Sequence, residues 1–249
     1  MANDIFDFKR VEKKYLLSKE QYEIISDGLS AFCEKDDYGE YSVFNVYYDT
    51  NDYYLIRRSL DKPFFKQKMR VRSYGTPDKD TPIFLELKRK YDGVVYKRRT
   101  KILLQNTDKL LRGEILPSSQ TENEIVNFAT RFAVKPKVFI GYEREAFKGR
   151  ADSSLRITFD KNIRFRTFTP SLCYGDGTKI LSDGQYLMEI KFSLTPPEEL
   201  ANLLSVARAY PTSFSKYGKA YENFIAPELF NPHFVGANQN YFKEDYEIA

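Results

Sequence analysis

The chain has 249 residues, enough for one sizeable domain, and its hydrophobic content of 42% excludes disorder over most of its length. Its 39 Lys and Arg residues stand beside 35 Asp and Glu residues, a balance that argues against a cationic coat for duplex nucleic acid. Two cysteines cannot form a disulfide framework and no apolar run is long enough to cross a bilayer, so we expect a soluble, cytoplasmic protein with no membrane segment in this chain.

β-Strand signals dominate the first half of the chain. In order, the patterns predict a strand over Phe8–Leu17, a helix over Lys19–Cys33, a strand over Tyr41–Tyr48, a short helix or irregular piece over Tyr53–Leu60, three strands over Phe65–Tyr74, Ile83–Tyr91 and Val94–Leu104, and a helix over Thr121–Phe132. Both longer helices open on capping-box patterns, Ser18 with Gln21 and Thr121 with Glu124. Asp92-Gly93 predicts a tight hairpin turn.

The second half continues the same pattern. It predicts strands over Lys137–Phe147, Ser154–Asp160, Ile163–Phe168 and Gln185–Ser193, then a helix from Pro196 to Tyr210. Periodicity is lost after Phe224, so we expect a single domain over residues 1–230 and a tail over 231–249. Strands joined mostly by hairpins, with few helices, predict a mainly β (α+β) fold. We expect an eight-stranded antiparallel barrel closed around a tunnel, with a few flanking helices.

Charged residues recur at every second position along most of the predicted strands. Side chains two apart on a strand share a face, so each strand places its charges together and its large apolar groups opposite. Strand by strand, the residues that share such faces are Arg10, Glu12 and Lys14; Lys68, Arg70 and Arg72; Glu86, Lys88 and Lys90; Lys97, Arg99 and Lys101; Tyr142 and Arg144; Arg156, Thr158 and Asp160; and Glu189 and Lys191.

Two interpretations of these faces are open. They could be the wet outer side of an ordinary sheet, or they could line a tunnel. The dominance of Lys and Arg, the apolar opposite faces and the helices available to cover them favour the tunnel. Clustered, partly desolvated cations need a counter-anion, and arginines at spacing two suit phosphate oxygens. The pattern therefore predicts a tunnel for a linear polyphosphate, with carboxylates that can hold a divalent cation beside it.

Seven short motifs stand in one order along the chain, from about Phe8 to Phe224. They are Arg10-x-Glu12-x-Lys14-Tyr15, Arg70-x-Arg72, Glu86-x-Lys88, Tyr142-x-Arg144, Arg156-Ile157-Thr158-x-Asp160, Glu189-x-Lys191 and Ser215-Lys216-Tyr217. This order resembles the VTC domain, the catalytic domain of vacuolar transporter chaperone polyphosphate polymerases, in the triphosphate tunnel metalloenzyme superfamily. The resemblance implies a phosphotransferase that moves the γ-phosphate of a nucleoside triphosphate, with ATP expected, onto growing inorganic polyphosphate, using Mn²⁺ or Mg²⁺.

The resemblance also implies roles for single residues. Catalytic contacts with phosphate fall to Arg70, Arg72, Lys88, Arg144 and Arg156. Further phosphate binding falls to Arg10, Lys14, Lys97, Arg99, Lys191, Ser215 and Lys216, where Lys97, Arg98 and Arg99 compete for one basic position and period two favours Lys97 or Arg99. The metal would be held by Glu189, with Glu12 and Glu86 as further carboxylates.

One departure bears on the reaction. Hydrolytic relatives usually open with ExExK, whereas Arg10 occupies the place of the first Glu, which favours holding a product chain over cutting it. A tripolyphosphatase or nucleoside triphosphatase of the same fold and a non-catalytic polyphosphate-binding module are the alternatives. Nucleic-acid binding is disfavoured, because the aromatic residues mostly alternate onto the face opposite the cations. The expected partners are a nucleoside triphosphate and inorganic polyphosphate; whether a membrane-associated partner exists is left open.

Overall fold

The computed structural model describes residues 11–193 and 195–230, which form one antiparallel sheet with helices packed against it. The strands are β1 (Val11–Leu17), β2 (Cys33–Asp49), β3 (Phe65–Tyr74), β4 (Pro82–Tyr91), β5 (Val94–Leu103), β6 (Lys135–Gly149), β7 (Arg156–Arg166), β8 (Thr178–Lys179), β9 (Tyr186–Phe192) and β10 (Pro211–Thr212). The helices are α1 (Lys19–Leu29), α2 (Tyr54–Leu60), α3 (Leu104–Leu111), α4 (Gln120–Phe132), α5 (Glu198–Val206), α6 (Lys216–Ala220) and α7 (Ala226–Phe230), with a π-helical turn at Tyr221–Ile225. The predicted mainly β (α+β) fold class is confirmed.

The sheet runs in the order β10-β1-β9-β7-β6-β2-β3-β4-β5, with β8 paired to β7. Within residues 11–193 and 195–230 no strand pairing joins β5 back to β1, so hydrogen bonds do not close the sheet into the expected barrel. The two ends nevertheless face each other. Glu12 on β1 lines the same cavity as Lys88 on β4 and Val95 on β5. The sheet therefore curls around an interior with an open seam.

Helices cover the outer face of the sheet in two places. α1 and α5 pack against the outward residues of β1, β7 and β9, where Ile157 and Ile190 are buried beside Ile25. α3 and α4 pack against the outward residues of β3 and β4, where Met69 and Leu85 are buried. Burying both apolar faces under helices leaves the opposite, charged face of the same strands turned to the interior.

A third apolar cluster closes one end of that interior. Tyr217 and Ala220 on α6 and Ile225 in the π-helical turn pack against Ile140 on β6 and Leu187 on β9. Tyr217 also donates a hydrogen bond of 2.9 Å to the buried carboxylate of Asp49 at the end of β2. The charged part of the interior therefore ends where α6 begins.

The predicted turn and cap chemistry agrees with the structure at two positions of three. The capping box of Ser18 and Gln21 starts α1. The hairpin between β4 and β5 turns on Asp92 (φ 42°) and Gly93 (φ 80°), the two positive angles that a type I′ turn needs. The box predicted at Thr121 is wrong, because Ser119 caps α4 instead and accepts a hydrogen bond from the backbone of Glu122.

Several element boundaries differ from the prediction. α1 ends at Leu29 because the backbone of Cys33 already pairs with Gly149 in the sheet. β2 starts eight residues before the predicted Tyr41, through a polar stretch that cross-strand ion pairs such as Lys148–Glu34 hold in place. The two strands expected around Asn162 are one strand, β7, and α3 was not predicted. α5 covers only the middle of the helix expected from Pro196 to Tyr210.

The predicted tail (231–249) lies outside the described residues. In the described part of the chain no helix is both long and apolar enough to span a bilayer.

Candidate functional site

On each of several strands the charged residues at every second position lie on the inward face of the curled sheet, and we call the space they line the charged chamber. Its sequence-predicted members are Glu12, Lys14, Arg70, Arg72, Glu86, Lys88, Lys97, Arg99, Arg144, Glu189, Ser215 and Lys216, with Arg156 and Lys191 at its margin. β5 shows the separation of faces directly. Lys97 and Arg99 both reach Glu86 in the chamber, at 2.7 and 3.3 Å, whereas Arg98 pairs with Glu124 of α4 on the outside at 3.2 Å.

Glu86 neutralises one group of chamber cations. Its carboxylate is 2% exposed and also accepts a hydrogen bond of 2.8 Å from Arg70 Nε. Burial by itself would raise the pKa of Glu86, but Arg70, Arg72 and Lys97 outweigh burial and hold the pKa far below its ordinary value. Glu86 is therefore a permanent anion that fixes three cations in place.

Asp160 neutralises a second group of cations and is the most enclosed acid of the chamber, with no exposed surface. Arg144 grips it with two hydrogen bonds, Nε to Oδ1 at 2.6 Å and Nη2 to Oδ2 at 2.7 Å. Lys216 Nζ lies 2.6 Å from Oδ2. Burial would raise the pKa of Asp160, but Arg144 and Lys216 lower it, so the carboxylate stays ionised between them.

Glu189 and Glu12 flank Lys14 in a third group. Lys14 Nζ lies 3.3 Å from Glu189 and 3.6 Å from Glu12, and Lys191 approaches Glu12 at 3.7 Å. Lys216 Nζ also lies 3.4 Å from Glu189 Oε1, and this ion pair connects the third group to the group around Asp160. Burial would raise the pKa of Glu189, but Lys216 and Lys14 hold it well below its ordinary value.

Neutral side chains position the two arginines of β3. Arg70 Nη1 donates to the Tyr47 hydroxyl at 3.0 Å. Arg72 Nε donates to Asn45 Oδ1 at 2.9 Å, and its Nη2 donates to the Tyr142 hydroxyl at 3.3 Å. These partners fix both guanidinium planes, and they leave the charge of Arg72 without a carboxylate partner among its hydrogen bonds in the described residues, whereas Arg70 also pairs with Glu86; fixed guanidinium planes favour binding an anion.

Lysines line the part of the chamber beside the open seam, where β1 faces β4 and β5. A cavity of about 380 Å³ lies there, with Lys66, Lys68, Lys88 and Lys90 on one side and Glu12 on the other. We call it the lysine cavity. Lys68 Nζ donates to Ser215 Oγ at 3.1 Å, which places the predicted hydroxyl of Ser215 at its inner end. Burial lowers the pKa of Lys68 to about 8, a sign of cations crowded without enough acid.

Three predicted residues lie at the margin or beyond it. Arg156 is half exposed and pairs with Asp36 at 3.1 Å, at the opening of the chamber. Lys191, its cross-strand neighbour, is also partly exposed. Arg10 lies outside the described residues.

The sequence prediction missed several chamber residues. Asp160 belongs to one of the seven motifs, but the sequence prediction assigned it no role in the site. Its position, on the same strand face as Arg156 and Thr158, already indicated that it lies with the chamber residues. Asn45 and Tyr47 carried no signal, because only the pairing of β2 with β3 brings them to the arginines. The expectation that aromatic residues mostly face away from the cations has exceptions here: Arg144 lies 5.1 Å from the centroid of the Tyr142 ring, which the sequence placed on the same face, and Arg99 lies 3.5 Å from that of Phe84.

The carboxylates of the chamber differ in their fitness to hold a divalent metal. Mg²⁺ and Mn²⁺ commonly bind one or two carboxylates together with substrate phosphates. Glu12 and Glu189 fit that donor set, since they flank the same lysine and their charges repel each other. Glu86 fits less well, because three cations already surround it. The described residues contain no cluster of three or more acidic, histidine or cysteine side chains able to bind a metal without substrate.

Comparison with known proteins gives a family match and fold matches. The model of the VTC domain matches residues 9–225. No curated protein matches the chain significantly. Among solved structures, a candidate adenylate cyclase from Bacillus halodurans is similar at a TM-score of 0.51 and 14% identity, covering 83% of this chain and 93% of that one. A candidate adenylyl cyclase from Hippeastrum with a dominant triphosphatase activity is similar at 0.48 and 20% identity, over 84% and 93%.

Proposed function

The chain belongs to the VTC domain family, and from that premise we propose that it is a polyphosphate polymerase. It would transfer the γ-phosphate of a nucleoside triphosphate, with ATP the donor we favour, onto a growing inorganic polyphosphate chain in the charged chamber. The family match, which covers most of the chain, supports a phosphate-handling protein of the triphosphate tunnel superfamily. The polymerase reaction, the donor and the metal are our proposal.

The observation that carries the proposal is the incomplete neutralisation of the chamber. Its cations outnumber the four carboxylates of Glu12, Glu86, Asp160 and Glu189, which already serve several cations each. Arg72 has only neutral partners among its hydrogen bonds in the described residues. Buried cations without enough counter-charge are costly until an anion arrives. A linear polyanion can supply that charge along the whole chamber at once.

The residues divide the work of phosphoryl transfer between them. This reaction is accelerated mainly by positioning and by neutralising the charge on the transferred group. Arg70, Arg72 and Arg144 would clamp the donor triphosphate, with Lys88 and Arg156 on either side of it. The terminal phosphate of the acceptor chain is already anionic and needs no general base. Lys14, Lys97, Arg99, Lys191, Ser215 and Lys216 would hold the rest of the phosphate chain.

A divalent metal fits this scheme at Glu189 and Glu12, whose carboxylates are ionised and lie beside the proposed phosphate path. When bound, Mn²⁺ or Mg²⁺ would neutralise charge on the phosphate oxygens. We assign Glu86 to fixing Arg70, Lys97 and Arg99 in their positions, and not to the metal. The proposal also includes a single domain over residues 1–230, a tail over 231–249 and action in the cytoplasm.

Product analysis tests the proposal. Purified protein incubated with ATP and Mn²⁺ should extend polyphosphate chains, visible as a ladder on a polyacrylamide gel. Release of orthophosphate without chain growth would replace the polymerase by a triphosphatase of the same fold. Tight binding of polyphosphate without turnover of any triphosphate would leave only a binding module.

A further inference from the structure

Four aromatic rings form a continuous row on the chamber side of β2, β3 and β4, at the end away from the lysine cavity. The ring centroids of Tyr38 and Tyr41 are 6.1 Å apart, those of Tyr41 and Tyr74 5.8 Å, and those of Tyr74 and Phe84 5.7 Å. We call these four residues the aromatic row. Cross-strand aromatic pairs often stabilise a sheet, and that role suits the half-buried Tyr41 and Phe84.

Stabilisation does not account for the outer part of the row. Tyr74 is 47% exposed and Tyr38 is 79% exposed, so about half of the first residue and most of the second are accessible to another molecule. Neither ring belongs to one of the three buried apolar clusters. Exposed rings of this kind offer faces on which a flat aromatic group can stack.

The row is continuous with the phosphate-facing cations. Arg99 lies over the Phe84 ring at 3.5 Å from the centroid and donates from Nη2 to the Tyr74 hydroxyl at 3.2 Å. On the other flank, Tyr41 is the cross-strand neighbour of Arg144. A ligand that touches the row is therefore within reach of cations that would bind its phosphates.

The spacing along β3 matches a nucleotide. Arg70, Arg72 and Tyr74 share the chamber face, and a strand rises about 3.3 Å per residue, so Tyr74 lies about 7 Å beyond Arg72 and about 13 Å beyond Arg70. That span is comparable with an extended nucleoside triphosphate whose γ-phosphate lies at Arg70.

We propose that the aromatic row stacks on the base of the donor nucleotide while its triphosphate enters the charged chamber. This inference rests on the proposed function and gives it a direction. The lysine cavity lies at the opposite end of the chamber and is lined by lysines, Glu12 and aliphatic side chains. None of its described lining residues is aromatic, so a base would find no ring to stack on there. The donor enters at the aromatic row, and the phosphate chain extends towards the lysine cavity.

Calorimetric titration with ATP and with inorganic tripolyphosphate tests the inference, because only ATP carries a base. Replacing Tyr74→Ala or Tyr38→Ala should weaken ATP binding roughly 10-fold, which corresponds to about 1.4 kcal/mol, and leave tripolyphosphate binding unchanged. Tyr74→Phe keeps the ring but loses the hydroxyl bonded to Arg99, so its preference for ATP should be retained. Tyr96→Ala, an exposed tyrosine on the outward face of β5, is the matched control and should change neither affinity.

The possible results separate this inference from the proposed function. If the alanine variants lose affinity for both ligands equally, the row supports the phosphate site without binding the base, and the inference is overturned. If both affinities are unchanged, the base binds elsewhere and the inference is again overturned, while the phosphate site stands. If the wild-type protein binds neither ligand, the proposed function itself fails.

Discussion

The substitution Asp160→Asn tests whether the chamber carboxylates neutralise the cations as a bound phosphate chain would. The change keeps the size of the side chain and removes its charge. In the wild type, Asp160 is buried, takes two hydrogen bonds from Arg144 and lies 2.6 Å from Lys216. The variant leaves both cations buried with less counter-charge, and Lys216 retains Glu189 at 3.4 Å.

The expected magnitude follows from that loss of pairing. Removing one partner of a buried ion pair costs about 3–5 kcal/mol. We expect the lower end, about 3 kcal/mol, because Glu189 still serves Lys216. For a domain of this size such a loss lowers the melting temperature by about 6–12 °C. Phosphate oxygens can replace the missing carboxylate, so tripolyphosphate should raise the melting temperature of the variant more than that of the wild type.

Differential scanning calorimetry with and without tripolyphosphate measures both effects. Asp183→Asn is the matched control, since its carboxylate is exposed and pairs with Lys179, four residues earlier in the chain. An exposed pair of this kind contributes about 0–1 kcal/mol, and we expect little change. If Asp160→Asn melts like the wild type, or if tripolyphosphate stabilises both proteins equally, the carboxylate does not stand in for phosphate.

Three further predictions concern binding. The double variant Arg70→Ala, Arg72→Ala should abolish tripolyphosphate binding in calorimetry. The control Arg98→Ala, on the outward face of β5, should bind tripolyphosphate like the wild type. If only Arg98→Ala lost affinity, the anion would bind on the outer face of the sheet. Burial lowers the pKa of Lys68 to about 8, so this lysine is charged below that pH and neutral above it, and the affinity for tripolyphosphate should fall several-fold as the pH rises through 8. The variant Lys68→Arg should retain its affinity at the higher pH. If the wild type and the variant have identical pH profiles, Lys68 is not the residue that causes the fall. Glu189→Gln should remove the gain in tripolyphosphate affinity that Mn²⁺ provides, and an unchanged gain would assign the metal elsewhere.

The sequence predicted the inward face of the strands because a two-residue period needs no knowledge of the neighbours. It separated Lys97 and Arg99 from Arg98 correctly, and the structure shows them on opposite sides of β5. Outward apolar residues such as Met69 confirmed the same pattern from the other side. The motif order also predicted the family, which the match over residues 9–225 confirmed.

The sequence could not predict the partners of the cations. Asn45 and Tyr47 reach Arg72 and Arg70 only through the register of β2 with β3, which no local pattern contains. The run YSVFNVYY in β2 carries aromatic or apolar side chains on both faces, so alternation could not tell which rings join the chamber. Inward rings such as Tyr47 therefore escaped the prediction. The seam between β1 and β5 depends on the curvature of the whole sheet, which likewise leaves no mark on a single strand.

The central claim is that the charged chamber binds a phosphate chain, and a crystal structure with tripolyphosphate tests it most directly. We predict phosphate oxygens within about 2.7–3.2 Å of the side-chain nitrogens of Arg70, Arg72 and Arg144. We also predict that the chain continues towards Lys68 and Lys88 in the lysine cavity. Tripolyphosphate bound on the outer face beside Arg89 and Arg98, with an empty chamber, would contradict the claim.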